Sequence, residues 1–350
     1  MAYSLTDKLV IGITSRALFD LEYENAIYDQ QGVDAYAAHQ RSNEDVPLNP
    51  GSAFPLVKAL LELNGLLPGQ TLIEVVVISR NSPDTGLRAF NAIEKHKLDI
   101  TRAAFTGGSA SISQYLHAFE VDLFLSKSQL DVQEAIDGGV AAAQLYELPA
   151  GYKSNTQQIR IAFDGDAVLF SADSEQYYKE HGLTKFLRRE RFMKRTAMEK
   201  GPFAKLLLTL SELQKKFPPE QRPIRLAIVT ARNSPAHARV IHTLREWGVS
   251  IDEAFFLGGV TKDKVLQAFG AHMFFDDQDT HVQAAATVVP AGKVPYEGGE
   301  LGTRRGKKQK LAATNSEADV RSSEKPLGQS SDSAMVEQQT GVQAALADDQ

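Results

Sequence analysis

Two aspartates carry the first chemical signal in this chain. Asp164 and Asp166, within Phe163-Asp-Gly-Asp166, follow directly on the apolar run Ile159-Arg-Ile-Ala-Phe163. On an extended chain, side chains at i and i+2 point the same way. The carboxyl end of a buried strand is where open α/β sheets place ligands. A second acidic pair, Asp276-Asp277, ends another apolar run, His272-Met-Phe-Phe275. Two such pairs at neighbouring strand ends converge on a hard cation, and oxygen donors suit Mg²⁺, which keeps waters and takes substrate phosphate. Asp-Gly-Asp is also a favourable turn sequence by itself. The strand before it and the second pair favour the metal reading, with Asp164, Asp166, Asp276 and Asp277 as candidate ligands.

Neighbouring strand ends offer a phosphate cradle. Val229-Thr230-Ala231-Arg232-Asn233 follows a second apolar run. The Thr230 hydroxyl and the amides of the following helix start suit a phosphoryl oxygen, with Arg232 and Asn233 beside them. Lys262 and Lys264 lie between a Gly-Gly turn and the last strand, and either supplies a fixed positive charge.

The elements that must position these groups alternate strand and helix, the pattern of an α/β fold with a mainly parallel sheet. Strands are predicted at 9–13, 73–78, 122–125, 159–163, 224–229 and 272–275, and helices at 55–63, 87–95, 203–217 and 236–247. The series repeats itself. Ser79-Arg-Asn-Ser-Pro-Asp84 matches Ala231-Arg-Asn-Ser-Pro-Ala236, and Ala104-Phe-Thr-Gly-Gly108 matches Phe255-Phe-Leu-Gly-Gly259. Ala118-Phe119 and Ala268-Phe269 follow in register. The chain therefore contains two copies of one unit. Only the second keeps the acids: the first carries Thr14 and Arg16 at the front, and Ser126 and Lys127 at the rear.

Composition bounds the remaining possibilities. The 350 residues allow about two domains. With no cysteine, disulfides, thiolate metal sites and cysteine nucleophiles are excluded. No apolar stretch reaches the ~20 residues of a membrane span, no secretory leader is visible at the N-terminus, and a cytoplasmic setting is expected. A net charge of −6 argues against nucleic-acid binding through a broad basic field. No Gly-x-Gly-x-x-Gly follows a strand and no Walker loop is present, so dinucleotide binding is unsupported. Residues 297–350, poor in apolar groups, are expected to be a disordered tail, with Arg304, Arg305, Lys307, Lys308 and Lys310 as a solvated basic cluster.

The set Asp164-Gly-Asp166, Thr230, a lysine and Asp276-Asp277 resembles the four motifs of haloacid-dehalogenase-like phosphatases. More narrowly, the chain resembles the cytosolic type I 5′-nucleotidase family over about residues 8–290. The stretches that carry it are Ser15-Arg-Ala-Leu-Phe19, Ala53-Phe-Pro-Leu-Val-Lys-Ala-Leu60, Ser79-Arg-Asn-Ser-Pro-Asp-Thr-Gly-Leu87, Asp99-Ile-Thr-Arg-Ala-Ala-Phe-Thr-Gly-Gly108, Ala162-Phe-Asp-Gly-Asp-Ala-Val-Leu-Phe170 and Phe274-Phe-Asp-Asp-Gln278. The resemblance implies two Rossmann-like units, a degenerate one at 1–152 and a catalytic one at 153–296, with a small helical cap at about 171–200.

It also implies Mg²⁺-dependent hydrolysis of nucleoside 5′-monophosphates, AMP-like substrates first. Asp164 would be the nucleophile, Asp166 the general acid and base, and Thr230 and Lys262 the phosphate-holding groups. Mg²⁺ would sit between Asp164, the Asp166 backbone carbonyl and Asp276 or Asp277. Arg16, Phe19, Asn81 and Thr106, at strand ends of the first unit, are expected to form a wall of the nucleotide site. Cap aromatics such as Tyr177, Tyr178, Phe186 and Phe192 would stack on a base, unless the cap is merely an amphipathic helix with a basic face. A homo-oligomer is plausible within that family. A phosphatase or phosphotransferase acting on another small phosphate ester, and a nucleotide-binding regulator without turnover, are the alternatives.

Overall fold

The computed structural model describes residues 3–108, 111–153 and 158–298; the expected tail lies outside them, apart from its first two residues. Ten strands form one sheet: β1 (Leu9–Ile13), β2 (Ile73–Ser79), β3 (Arg102–Phe105), β4 (Leu123–Ser126), β5 (Ala141–Leu145), β6 (Ile159–Phe163), β7 (Ile224–Thr230), β8 (Glu253–Phe256), β9 (Met273–Asp276) and β10 (Ala291–Lys293). Their spatial order is β3-β2-β1-β4-β5-β10-β9-β6-β7-β8. All neighbours pair in parallel except β5 and β10, which are antiparallel. Read inward from either edge, the two five-strand halves have the same order. β1, β2, β4 and β9 are buried at every position. Successive side chains alternate faces, so such strands require cover on both sides of the sheet.

The halves meet on a short overlap. Gln144 pairs with Lys293 and Leu145 with Gly292. Side chains there must be small: a Cβ on Gly292 would lie 3.0 Å from the Ala143 Cβ. The register also runs one line across the junction, from Ser126 through Gln144 and Lys293 to Asp276. Because β5 and β10 oppose each other, the loops beyond Ser126 and beyond Asp276 leave that line in opposite directions.

Predicted and observed helices agree closely, with Pro83–Lys95, Ala204–Lys215 and His237–Glu246 where helices are expected. The Ser82 hydroxyl starts the first of these by accepting from the Thr85 amide at 3.2 Å. Four strands, β3, β5, β8 and β10, and several helices fall outside the predicted set. The edge strands β3 and β8 are only half-buried and four residues long. A long helix, Glu22–Ser42, also follows β1, although only Glu24, Ile27 and Gln40 are buried along it. It is the counterpart of Asp173–Phe192, which lies where the cap is expected. Each breaks at a glycine with positive φ, Gly32 (84°) and Gly182 (75°), a conformation other residues rarely adopt.

Candidate active site

The carboxyl ends of β6 and β9 bring three of the four predicted acids together. Asp164 and Asp276 follow paired residues of adjacent strands, Phe163 and Phe275. Oxygen atoms of Asp164, Asp276 and Asp277 lie within 4.8 Å of one another, and all three residues are buried. Lys262, at the start of the helix Asp263–Phe269, reaches between them. Its Nζ donates to Asp164 Oδ1 at 2.5 Å and to Asp276 Oδ2 at 2.6 Å. Lys264 is exposed, so of the two candidate lysines Lys262 belongs to this cluster.

Beyond Asp164 the chain makes a tight loop, with Ala167 at φ 60°. The loop is held by backbone donation from Gly201 to Leu169 and from Phe203 to Val168. A Cβ on Gly201 would lie 2.4 Å from the Phe170 carbonyl oxygen, so only glycine fits this approach. Thr230 is buried, and its Oγ1 faces Gly165 and accepts from the Arg232 amide at 3.3 Å.

Asp166 lies outside that cluster but close enough for its charge to act on Asp164. Its carboxylate accepts a fork from Arg232, Nε to Oδ2 at 2.7 Å and Nη2 to Oδ1 at 2.6 Å. The side chain of Arg232 is 3% exposed and also bonds Glu190, so it faces protein groups instead of open space. Asn233 is exposed, with its side chain against Gly258.

One lysine does not balance three buried carboxylates. Burial pushes Asp164 up to about 7 against the attraction of Lys262. Burial, reinforced by Asp164, Asp276 and Glu175, pushes Asp277 up to about 9. For Asp276 burial works the same way, but Lys262 and His281 outweigh it and hold the carboxyl below its ordinary value. Burial alone would lower Lys262, yet Asp164 and Asp276 raise it. Asp277 Oδ1 is buried without a hydrogen-bond partner. An orphan oxygen beside surplus carboxylates, in an all-oxygen donor set, fits a divalent cation such as Mg²⁺.

Several residues here had no local sequence signal. Tyr296 donates to Asp277 Oδ2 at 2.5 Å and to Glu175 Oε2 at 3.3 Å. His281 Nδ1 lies 3.2 Å from Asp276 Oδ2. Glu190 and Arg239 form a buried pair behind Arg232. Tyr296 and Asp277 also border a cavity of about 590 Å³ whose opposite wall includes Gln129, Gln133 and Gln144 from the first half.

The first-half residues expected at the site lie elsewhere in the structure. Arg16 and Asn81 line a separate cavity of about 370 Å³, with Thr14, Ser79 and Lys127. The antiparallel junction sends the first-half loops away from Asp164. There Arg16 Nη2 bonds Glu22 at 2.5 Å, and the Ser15 hydroxyl donates to Asn81 at 3.0 Å. Thr106 donates its amide to the Ser79 carbonyl at 3.0 Å. Phe19 is completely buried beside Phe54 and His96, so it is a core residue. In the cap, Phe186 is buried under Arg232, while Phe192 is 91% exposed.

A mainly parallel α/β sheet with buried acids and a lysine at its strand ends defines the class to which the comparisons add a family. The 5′-nucleotidase family model matches residues 1–300. Cytosolic 5′-nucleotidase 1B of Homo sapiens is 39% identical over 287 residues, 79% of this chain and 47% of that protein. The chain belongs to the 5′-nucleotidase family, and it spans about half the length of that curated relative. No solved structure matches it significantly.

Proposed function

We propose that the chain is a Mg²⁺-dependent phosphohydrolase of nucleoside 5′-monophosphates that works through an aspartyl-phosphate. The observation that carries this reading is the buried Asp164–Lys262–Asp276–Asp277 cluster at adjacent strand ends of a 5′-nucleotidase-family chain. Asp164, Asp276 and Asp277 would hold the cation, which supplies charge neutralisation between carboxylates and phosphate.

In the first step an Asp164 oxygen attacks phosphorus, the P–O5′ bond breaks, and Asp166 passes its proton to the leaving oxygen. In the second step water attacks phosphorus, Asp166 takes its proton, and phosphate leaves with Asp164 restored. Lys262 and the Thr230 hydroxyl stabilise charge on the equatorial oxygens. The proposal extends to the architecture: the two five-strand halves are copies of a haloacid-dehalogenase-like unit, and the first has lost its acids. The relative's name includes "cytosolic", and among the described residues no helix is long and apolar enough to cross a membrane. The relative's name supports a cytoplasmic setting.

Phosphate release from AMP tests this, with and without Mg²⁺, in wild type and Asp164→Asn. Release that requires the metal and drops at least ~10³-fold in the variant supports the reading. Release from other phosphate esters but not AMP would shift the substrate class. A folded wild type inert on a panel of phosphate esters would end the hydrolase reading.

A further inference from the structure

Behind Asp166 stands a buried chain of charges that the reaction does not itself require. Arg232 Nη1 donates to Glu190 Oε2 at 2.7 Å, and Arg239 Nη1 donates to Glu190 Oε1 at 2.9 Å. Glu190 is completely buried near the end of the cap helix, and Arg239 is anchored to the Thr196 carbonyl at 2.9 Å. The Phe186 ring covers the Arg232 guanidinium at 5.5 Å.

The first half makes the same kind of pair with a different outcome. Counted from the kink glycines Gly32 and Gly182, Glu24 matches Ser174 and Gln40 matches Glu190. Buried Arg88, on the helix that matches Arg239's, bonds Glu24 at 2.8 Å and Gln40 at 2.9 Å. One carboxylate thus serves that arginine in each half, but from opposite ends of the helix.

Arg80, the match of Arg232, turns instead to Asp131 at 2.6 Å and Glu134 at 3.2 Å. Counted from Ser126 and Asp276, those positions carry His281 and Ala284 in the second half. With neither carboxylate there, Arg232 points inward. A buried guanidinium needs a hydrogen-bonded counter-charge, and Glu190 supplies it from the side facing away from Asp166.

We propose that Glu190 is a positioning residue: held by Arg239, it fixes the Arg232 fork, and the fork sets the Asp166 carboxylate where the leaving oxygen receives its proton. The cap helix is thereby tied to the acid–base residue. The inference rests on the phosphatase reading above.

The first half suggests the test. Ser174→Glu/Glu190→Gln transplants its arrangement, which leaves Arg239 a carboxylate and takes one from Arg232. Melting temperature, kcat and KM are measured on AMP and on its 5′-bridging phosphorothiolate, in which sulfur replaces O5′ and leaves as a thiolate needing no proton. The expected result is a near wild-type melting temperature and KM, with kcat on AMP down about tenfold or more and kcat on the sulfur ester nearly unchanged.

Equal rates, or equal losses on both esters, would overturn the role and leave Glu190 as structural support. If the double variant does not fold, Arg232→Lys reads the same ratio, and an equal loss on both esters overturns the proposal there too. A wild type inert on AMP but active on another phosphate ester is read on that ester and its bridging thiolate counterpart, and a wild type inert on the whole ester panel would overturn the phosphatase reading, and this inference with it.

Discussion

Asp277 concentrates the electrostatics of the site. It is buried, faces Asp164, Asp276 and Glu175, and leaves Oδ1 without a partner. Its carboxyl titrates at about 9 and that of Asp164 at about 7, against an ordinary 3.8. Between about pH 4 and pH 9 the metal-free folded state therefore binds more protons than the unfolded state. Stability follows the difference in bound protons, so it is highest at the acid end of this window and falls as pH rises. Melting temperature in chelator should decline across that range, and Asp277→Asn should flatten the decline above about pH 7. The proposed Mg²⁺ would bind the ionised carboxylates, so its stabilisation should grow with pH. A chelator profile unchanged by Asp277→Asn would contradict this account.

At the scale of elements, one glycine in each half lets two backbone segments touch. A Cβ on Gly51 would lie 2.6 Å from the Phe19 carbonyl carbon, and one on Gly201 2.4 Å from the Phe170 oxygen. Neither neighbour is a flexible side chain, so Gly51→Ala and Gly201→Ala should each cost about 1–3 kcal/mol, read as a lower melting temperature. Their effects on turnover should differ. Gly201 braces the loop that carries Asp166, so Gly201→Ala should lower kcat. Gly51 braces the acid-free half, so Gly51→Ala should spare kcat. Equal effects on turnover would show that the two loops do not act separately.

The described residues share one sheet whose halves point in opposite directions. That arrangement places the first half beside two separate cavities. Its strand-end polar residues close their own cavity, while Gln129, Gln133 and Gln144 border the one beside Asp277. Arg16→Ala should therefore leave the KM for AMP within about twofold of wild type, the range expected when no ligand contact is lost. A large rise in KM would return Arg16 to the nucleotide site. The junction itself is narrow, so Gly292→Val, with its Cβ pressed on Ala143, should lower the melting temperature as overpacking does.

Local features of the sequence determined the acids, the strand–helix series and the repeat. An apolar run ending in Asp-Gly-Asp is a short-range signal, and two matching series expose each other. The polar helix Glu22–Ser42 was hidden because so little of it is buried, and β3 and β8 because each is only four residues long and half-buried. Comparison of the two halves about Gly32 and Gly182 holds the only sequence signal for Glu190, a residue otherwise indistinguishable from its charged neighbours. Tertiary structure alone decided the rest. It set Lys262 between Asp164 and Asp276, buried Phe19, brought Tyr296 to Asp277, aimed Arg232 at Asp166 and turned the first-half loops away from Asp164. Each of these depends on which distant groups share a buried space, and charges removed from water select their partners by distance and geometry that no local pattern records.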